Sequence, residues 1–105
     1  MRTEEIKGLM RSLGAKKSEI LVYIALLRMR EEVPISRILK EVDLSEKTVR
    51  MALDSLIRRG LVVRTGKGRG TKYRARGVRT LMHLVKKKIE ESVQDIFTHL
   101  QYRSS

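Results

Sequence analysis

Apolar residues recur at steps of three and four along most of the chain, and the breaks in that recurrence divide it into five helices and one hairpin. Ile6, Leu9, Met10 and Leu13 share one face of a first helix from Thr3 to Leu13, with Thr3 as its expected N-cap, Glu4 and Glu5 in the first turn and Gly14 as its expected terminator. A second helix starts near Ser18 and runs to Met29. Ile20, Tyr23, Ile24 and Leu27 form its stripe, and Leu21, Val22, Ala25 and Leu26 widen it so far that this helix belongs at the centre of a core. Pro34 disfavours helix at the residue before it, which leaves Val33 and Ile35 as a short extended stretch. Ser36 is the expected N-cap of a third helix, which reaches Val42 with Ile38 and Leu39 inward. After Asp43-Leu44, Ser45 caps a fourth helix that turns Val49, Leu53, Leu56 and Ile57 inward and stops at Gly60. Two helices joined by so tight a turn make a helix-turn-helix.

Periodicity then switches from helical to alternating. Leu61 to Arg64 and Thr71 to Ala75 read as paired strands around the glycine-rich loop Thr65 to Gly70, so a β-hairpin follows the helix-turn-helix directly, in the place of a wing. A last helix from Val78 to about Tyr102 carries Val78, Met82, Val85, Ile89, Val93, Ile96 and Leu100 in a seam that Leu81, Leu84 and Phe97 broaden. At 1.5 Å per residue it is roughly 37 Å long, more than so small a domain can cover. The seam therefore predicts a coiled-coil dimer through those seven residues, two-fold symmetric as most oligomers are, with the first helix assisting. The fold class expected is mainly α with a small β-hairpin wing: a winged helix-turn-helix over residues 1–77 and a dimerisation helix over 78–105, in one domain unit.

Composition narrows the partner. The 105 residues carry a formal net charge of +12, and no acidic residue occurs between Asp54 and Glu90, where Arg58, Arg59, Arg64, Lys67, Arg69, Lys72, Arg74, Arg76, Arg79 and Lys86 to Lys88 lie. A basic block so one-sided calls for an anionic partner, in the first place a nucleic-acid backbone. The longest apolar run, Ile20 to Leu27, is too short for a membrane span, and the start Met1-Arg2-Thr3-Glu4-Glu5 is unlike a secretory signal, so a cytoplasmic address is expected. The absence of cysteine excludes disulfides and thiolate chemistry, and the absence of asparagine beside many charges fits proteins that work hot.

In a helix-turn-helix the second helix enters the major groove and its outward side chains reach base edges. Here these are Glu46, Lys47, Thr48, Arg50, Met51 and Asp54. Arg50 and Lys47 suit guanine O6 and N7, Thr48 and Met51 a thymine methyl, and Glu46 either a cytosine amine or the positive end of its own helix. Ser36 and Ser45 stand at helix starts, where a hydroxyl holds a phosphate, caps the helix, or both. Lys67, Arg69, Lys72 and Arg74 project from the hairpin to follow phosphates or enter a minor groove while Tyr73 packs inward. The glycine-lysine loop lacks the GK[ST] ending and following helix of a phosphate-binding P-loop. Lys86-Lys87-Lys88 reads as a solvated face of the last helix.

The residues carrying these elements form a family pattern. Leu13-Gly14-Ala15-Lys16-Lys17-Ser18-Glu19-Ile20-Leu21-Val22-Tyr23-Ile24-Ala25-Leu26-Leu27 is similar to the opening of the TrmB-type DNA-binding domain. Ser36-Arg37-Ile38-Leu39, Leu44-Ser45-Glu46-Lys47-Thr48-Val49-Arg50 and Leu53-Asp54-Ser55-Leu56-Ile57-Arg58-Arg59-Gly60-Leu61-Val62 continue it in register. From Leu13 to Ala75 the chain thus resembles archaeal winged-helix regulators of the TrmB and MarR groups, including small stand-alone members that dimerise through a terminal coiled coil. Ala15 departs from the larger apolar residue frequent there, and no effector domain follows, so no sugar sensor is implied. The resemblance implies a DNA-binding transcription factor with its recognition helix beginning at Ser45.

Other chemistries find little support. His83 and His99 lie far apart on one helix without ligands at metal spacing, the carboxylates are scattered over helix surfaces, and no nucleophile-base set is suggested, so neither metal, cofactor nor enzyme activity is expected. Double-stranded DNA and a second copy of the chain are the expected partners, and no effector ligand can be named. Three alternatives stay open: an architectural nucleoid protein with little base readout, a winged-helix adaptor for another protein, and an RNA binder. The last is disfavoured because only Tyr23, Tyr73, Phe97 and Tyr102 are aromatic.

Overall fold

A computed structural model describes residues 1–104, with side chains as far as Gln101, so Ser105 at the end of the expected 78–105 segment lies outside the described residues. The order is α1 (Thr3–Ser12), α2 (Lys17–Met29), α3 (Ile35–Glu41), α4 (Glu46–Arg58), β1 (Val62–Thr65), a 3-10 turn (Gly68–Gly70), β2 (Lys72–Ala75) and α5 (Val78–Ser104). The mainly helical winged fold is the one the sequence pattern predicts. Its helix starts differ in ways that have physical causes.

Neither Thr3 nor Ser18 is a cap. Arg2 and Lys16 are the N-caps, because a glutamate three residues on reaches back to each: Glu5 Oε1 accepts the Arg2 N–H at 3.3 Å and Glu19 Oε2 the Lys16 N–H at 3.3 Å. Ser36 is not a cap either. Pro34, with φ −73° and ψ 163°, holds that place, and Ile35 is already helical. Proline restricts the residue before it and leaves the one after free to enter a helix. Of Val33 and Ile35, only Val33 is therefore extended. It forms an antiparallel bridge with Tyr73, exchanging Val33 N–H to Tyr73 O (2.9 Å) and Tyr73 N–H to Val33 O (2.8 Å), and so sets a single residue against β2 as a third strand position.

The fourth helix starts and stops where expected. Ser45 Oγ accepts the Thr48 N–H at 3.1 Å, and Gly60, at φ 80°, takes the left-handed turn after the helix. Gly60 N–H then donates to Ile57 O (3.0 Å) and Leu61 N–H to Leu56 O (2.9 Å), a paired termination that drives the fully buried Leu61 into the core. Gly14 ends α1 in the same way.

The core is one cluster around α2, whose Val22, Tyr23 and Leu26 are sealed from solvent by Met10 of α1, Ile38 of α3, Val49, Leu53 and Leu56 of α4, and Leu81 of α5. β1 pairs antiparallel with β2 in the register Val62 to Ala75 and Thr65 to Lys72. Only the first part of α5 joins this core, and the molecule is accordingly drawn out to 59 Å along its longest axis. No helix among the described residues is long and apolar enough to cross a membrane.

Candidate nucleic-acid interface

Burial of Val49, Ala52, Leu53 and Leu56 fixes the rotation of α4 and leaves Lys47, Arg50, Met51 and Asp54 exposed, with Thr48 half-buried at the helix start. The Ser45 hydroxyl accepts from the Thr48 backbone and donates to Thr48 Oγ1 (2.9 Å), so it is engaged as a cap. Arg50 Nε donates to Glu46 Oε2 at 3.2 Å, with both side chains more than half exposed. Glu46 thereby holds one side of the Arg50 guanidinium and leaves its two terminal nitrogens without a partner among the described residues.

The hairpin brings its cations up beside this helix. A groove of about 730 Å³ runs between the start of α3, the flank of α4 and the loop of the wing, lined among others by Ser36, Arg50, Arg64, Lys67 and Arg69. Four of the residues selected from sequence meet there. Gly66 makes the loop possible: it sits at φ 81°, and a Cβ on it would strike the Gly70 carbonyl. Lys72 and Arg74 do not line the groove. They alternate with the buried Tyr73 and stand exposed on the other face of β2. Lys47 projects from the crest of α4, whereas Thr48 and Met51 border a separate pocket on the α2 side of the helix. No carboxylate lies within ion-pair distance of Lys47, Lys67, Arg69, Lys72 or Arg74 among the described residues.

Not all of the basic block is available. Arg64 lies 4.0 Å from Asp54, an exposed pair linking the wing to the end of α4. Arg59 is a structural residue: its Nη1 donates to Leu13 O (2.7 Å) and Nη2 to Gly14 O (3.3 Å), and its Nε lies 3.5 Å from Glu19 Oε2 without forming a hydrogen bond. Glu19 corrects the expectation of carboxylates scattered over the surface. It is only 4% exposed and also accepts a hydrogen bond from Ser55 Oγ at 2.9 Å. A signal for it was present: Glu19 leads directly into the apolar run of α2, and Ser55 and Arg59 are spaced i, i+4 on α4. Lys88 likewise departs from a purely solvated face, donating to Ser12 O at 2.7 Å and closing the end of α1.

Tyr23 anchors the exit from the wing. Its hydroxyl donates to Arg76 O at 2.7 Å while the Arg76 N–H donates to Leu61 O at 2.8 Å, and burial pushes the phenol up from 10.0 to about 12.

The seam of α5 divides. Leu81 is sealed and Val85 only 7% exposed, both within the chain's own core, and Val78 is half-buried. Val85 is thus largely covered within its own chain, at the border of the exposed strip. Met82, Ile89, Val93, Ile96, Phe97 and Leu100 are each at least half exposed. The upper part of this strip borders an apolar groove of about 660 Å³ shared with Met1 and with Gly8 and Leu9 of α1.

Solved structures share this arrangement. A possible transcriptional regulator from Methanosarcina mazei Go1 superposes with a TM-score of 0.77 at 14% identity, over 97% of this chain and 88% of that one. TrmBL2, described as an archaeal chromatin protein with a novel mode of DNA binding, gives 0.78 at 14% identity over 98% of this chain, which spans only 40% of that protein. The ST1889 protein of Sulfolobus tokodaii gives 0.64 at 20% identity with both chains covered in full. At such identities the likeness is one of fold. No curated protein sequence matches the chain. The sequence profile of the family described as sugar-specific transcriptional regulator TrmB matches residues 9–79, from the second turn of α1 through the helix-turn-helix and wing to the start of α5. Two-thirds of the chain is thereby accounted for, and the chain belongs to the TrmB family of winged-helix transcriptional regulators.

Proposed function

We propose that the chain acts in the cytoplasm as a homodimeric regulator that reads double-stranded DNA, with α4 in the major groove and the wing on the backbone or minor groove. The observation that carries this reading is the groove in which Arg50, Lys67 and Arg69 converge: Glu46 orients Arg50 and Asp54 pairs with Arg64, while Lys67 and Arg69 have no carboxylate within ion-pair distance among the described residues. Arg50 and Lys47 are the base-reading side chains, with Thr48 and Met51 on the α2 side of the same helix. Ser36, Ser45, Lys67, Arg69, Lys72 and Arg74 serve the backbone. Residues 1–77 form the DNA-binding unit. Residues 78–105 provide the dimer helix, through Met82, Ile89, Val93, Ile96 and Leu100, and set two recognition helices about 34 Å apart on successive major grooves.

Fluorescence anisotropy on a duplex from the gene's own upstream region and on a shuffled duplex, titrated across salt, tests this. A preference of about 10³-fold or more at physiological salt supports a regulator, and Arg50→Ala then lowers that preference more than it lowers shuffled-duplex affinity. A second reading has its own support: the charge of +12 and the fold shared with a chromatin protein favour architectural binding with little base readout. Equal binding of both duplexes with a steep salt slope identifies it. Binding to neither duplex would sink both and leave the basic face to a protein partner.

A further inference from the structure

A helix about 10–12 Å across nearly fills a major groove about 12 Å wide, so each of its flanks comes up against one of the two phosphate backbones. On one flank of α4 stands the wing groove with Arg50. The other flank borders a second pocket, of about 360 Å³, between α4 and the start of α2, lined by Lys16 and Ser18 from α2 and by Thr48, Met51 and Arg58 from α4. At roughly 100° per residue Thr48 lies about 160° around the helix from Arg50, so the two basins flank the recognition helix.

We propose that this pocket holds a backbone phosphate of the duplex, through Lys16 and Arg58 with the hydroxyls of Ser18 and Thr48, on the strand opposite the one the wing follows. The inference rests on the DNA-binding reading above and adds a phosphate contact on the side where the sequence suggested only base contacts through Thr48 and Met51. Lys16 and Arg58 are exposed and have no carboxylate within ion-pair distance among the described residues. The one carboxylate in the pocket, Glu19, is buried at its floor and met by Arg59, which leaves the lining with a net charge of about +2. Thr48 Oγ1 accepts from Ser45 and so keeps its own proton to donate. Ser55 is spent on Glu19 and takes no part.

The test compares wild type with Lys16→Gln/Arg58→Gln by anisotropy on both duplexes across a salt series. Lys16 caps α2 through its backbone, with no side-chain hydrogen bond, and Arg58 is exposed, so melting temperature should hold. Each neutralised phosphate contact removes about 0.9 from the slope of log K against log salt, so one contact per protomer of a dimer flattens it by about 1.8. Affinity should fall alike on both duplexes, with their ratio unchanged. The control Lys7→Gln/Arg28→Gln removes the same charge from the groove between α1, α2 and α3 and should keep the wild-type slope. If wild type binds and the pocket variant keeps its slope, or the control loses as much, the phosphate site is overturned while DNA binding stands. If wild type binds neither duplex, the DNA-binding reading fails and the site with it.

Discussion

Replacing Arg59 by alanine strips a carboxylate that the fold has sealed in of the one cation that meets it among the described residues. Glu19 keeps its bonds from Ser55 (2.9 Å) and the Lys16 N–H (3.3 Å), but its side chain is 5% exposed and has no route to water that would compensate the lost charge. The Leu13 and Gly14 carbonyls at the end of α1 lose their donors in the same step. Removing one partner of a buried pair costs about 3–5 kcal/mol. The Arg59 side chain is 28% exposed, so the lower end, about 3 kcal/mol, applies here. At about 4 °C or more per kcal/mol for a domain near 100 residues, the melting temperature should fall by at least about 12 °C. The neighbouring Arg58→Ala, on the exposed face, should stay within about 0.5 kcal/mol. Replacing the pair together, as Glu19→Gln/Arg59→Met, should recover more than half of the loss, since an uncharged pair leaves no stranded ion. Urea and thermal unfolding of the four proteins measure all of this. An Arg59→Ala as stable as Arg58→Ala, or a double variant no better than the single one, would refute the reasoning.

Three more perturbations probe separate parts of the molecule. The Tyr23 phenol ionises near 10 when unfolded and at about 12 when folded, so the unfolded chain releases its proton first; stability from this group is intact below pH 10 and is lost as pH rises to 12, by about 2 kcal/mol. Tyr23→Phe should lose about 1 kcal/mol at neutral pH and unfold with a shallower alkaline decline than wild type between pH 10 and 12. Gly66→Ala meets both a left-handed backbone and the Gly70 carbonyl, and calorimetry should show a loss of about 1–2 kcal/mol or more, whereas Gly68→Ala, with open space around it, should cost less. Ile89→Glu/Ile96→Glu places charge on the exposed strip of α5, and sedimentation should find a folded monomer in place of the dimer proposed for wild type; Leu81→Ala, in the core, should instead cost about 2–5 kcal/mol of stability.

The features legible in the sequence are those fixed within a few residues. Ser45 caps α4 by bonding three residues ahead, Gly60 turns the chain one residue past the C-cap, and Tyr73 alternates with Lys72 and Arg74 because a strand allows nothing else. Even the misplaced starts at Thr3 and Ser18 follow from local rules. A glutamate at the third helical position selects its own cap two residues before the serine or at the arginine before the threonine, and that contest is decided by which backbone N–H the carboxylate can reach. What stayed hidden is set across the chain. Arg58 and Arg59 are adjacent and identical in type, yet a turn of about 100° sends one to solvent and the other to a carboxylate forty positions away.

The last helix shows why a stripe of apolar residues underdetermines its partner. Steps of three and four run through Leu81, Leu84 and Val85 and equally through Met82, Ile89, Val93 and Ile96, so the linear pattern presents one broad seam. On the helix these are two stripes about a quarter-turn apart. The first meets α1 and completes the core of its own chain, with Lys88 tying it to the end of α1. The second begins beside the first but continues past the point where α1 ends, and no other element among the described residues follows it. The division between folding and assembly therefore lies at the end of α1, a boundary written in the length of a different helix. In the proposed dimer it would also tie the spacing of two recognition helices to the core of each protomer, because α5 packs on α1 and α1 on the α2 that supports α4.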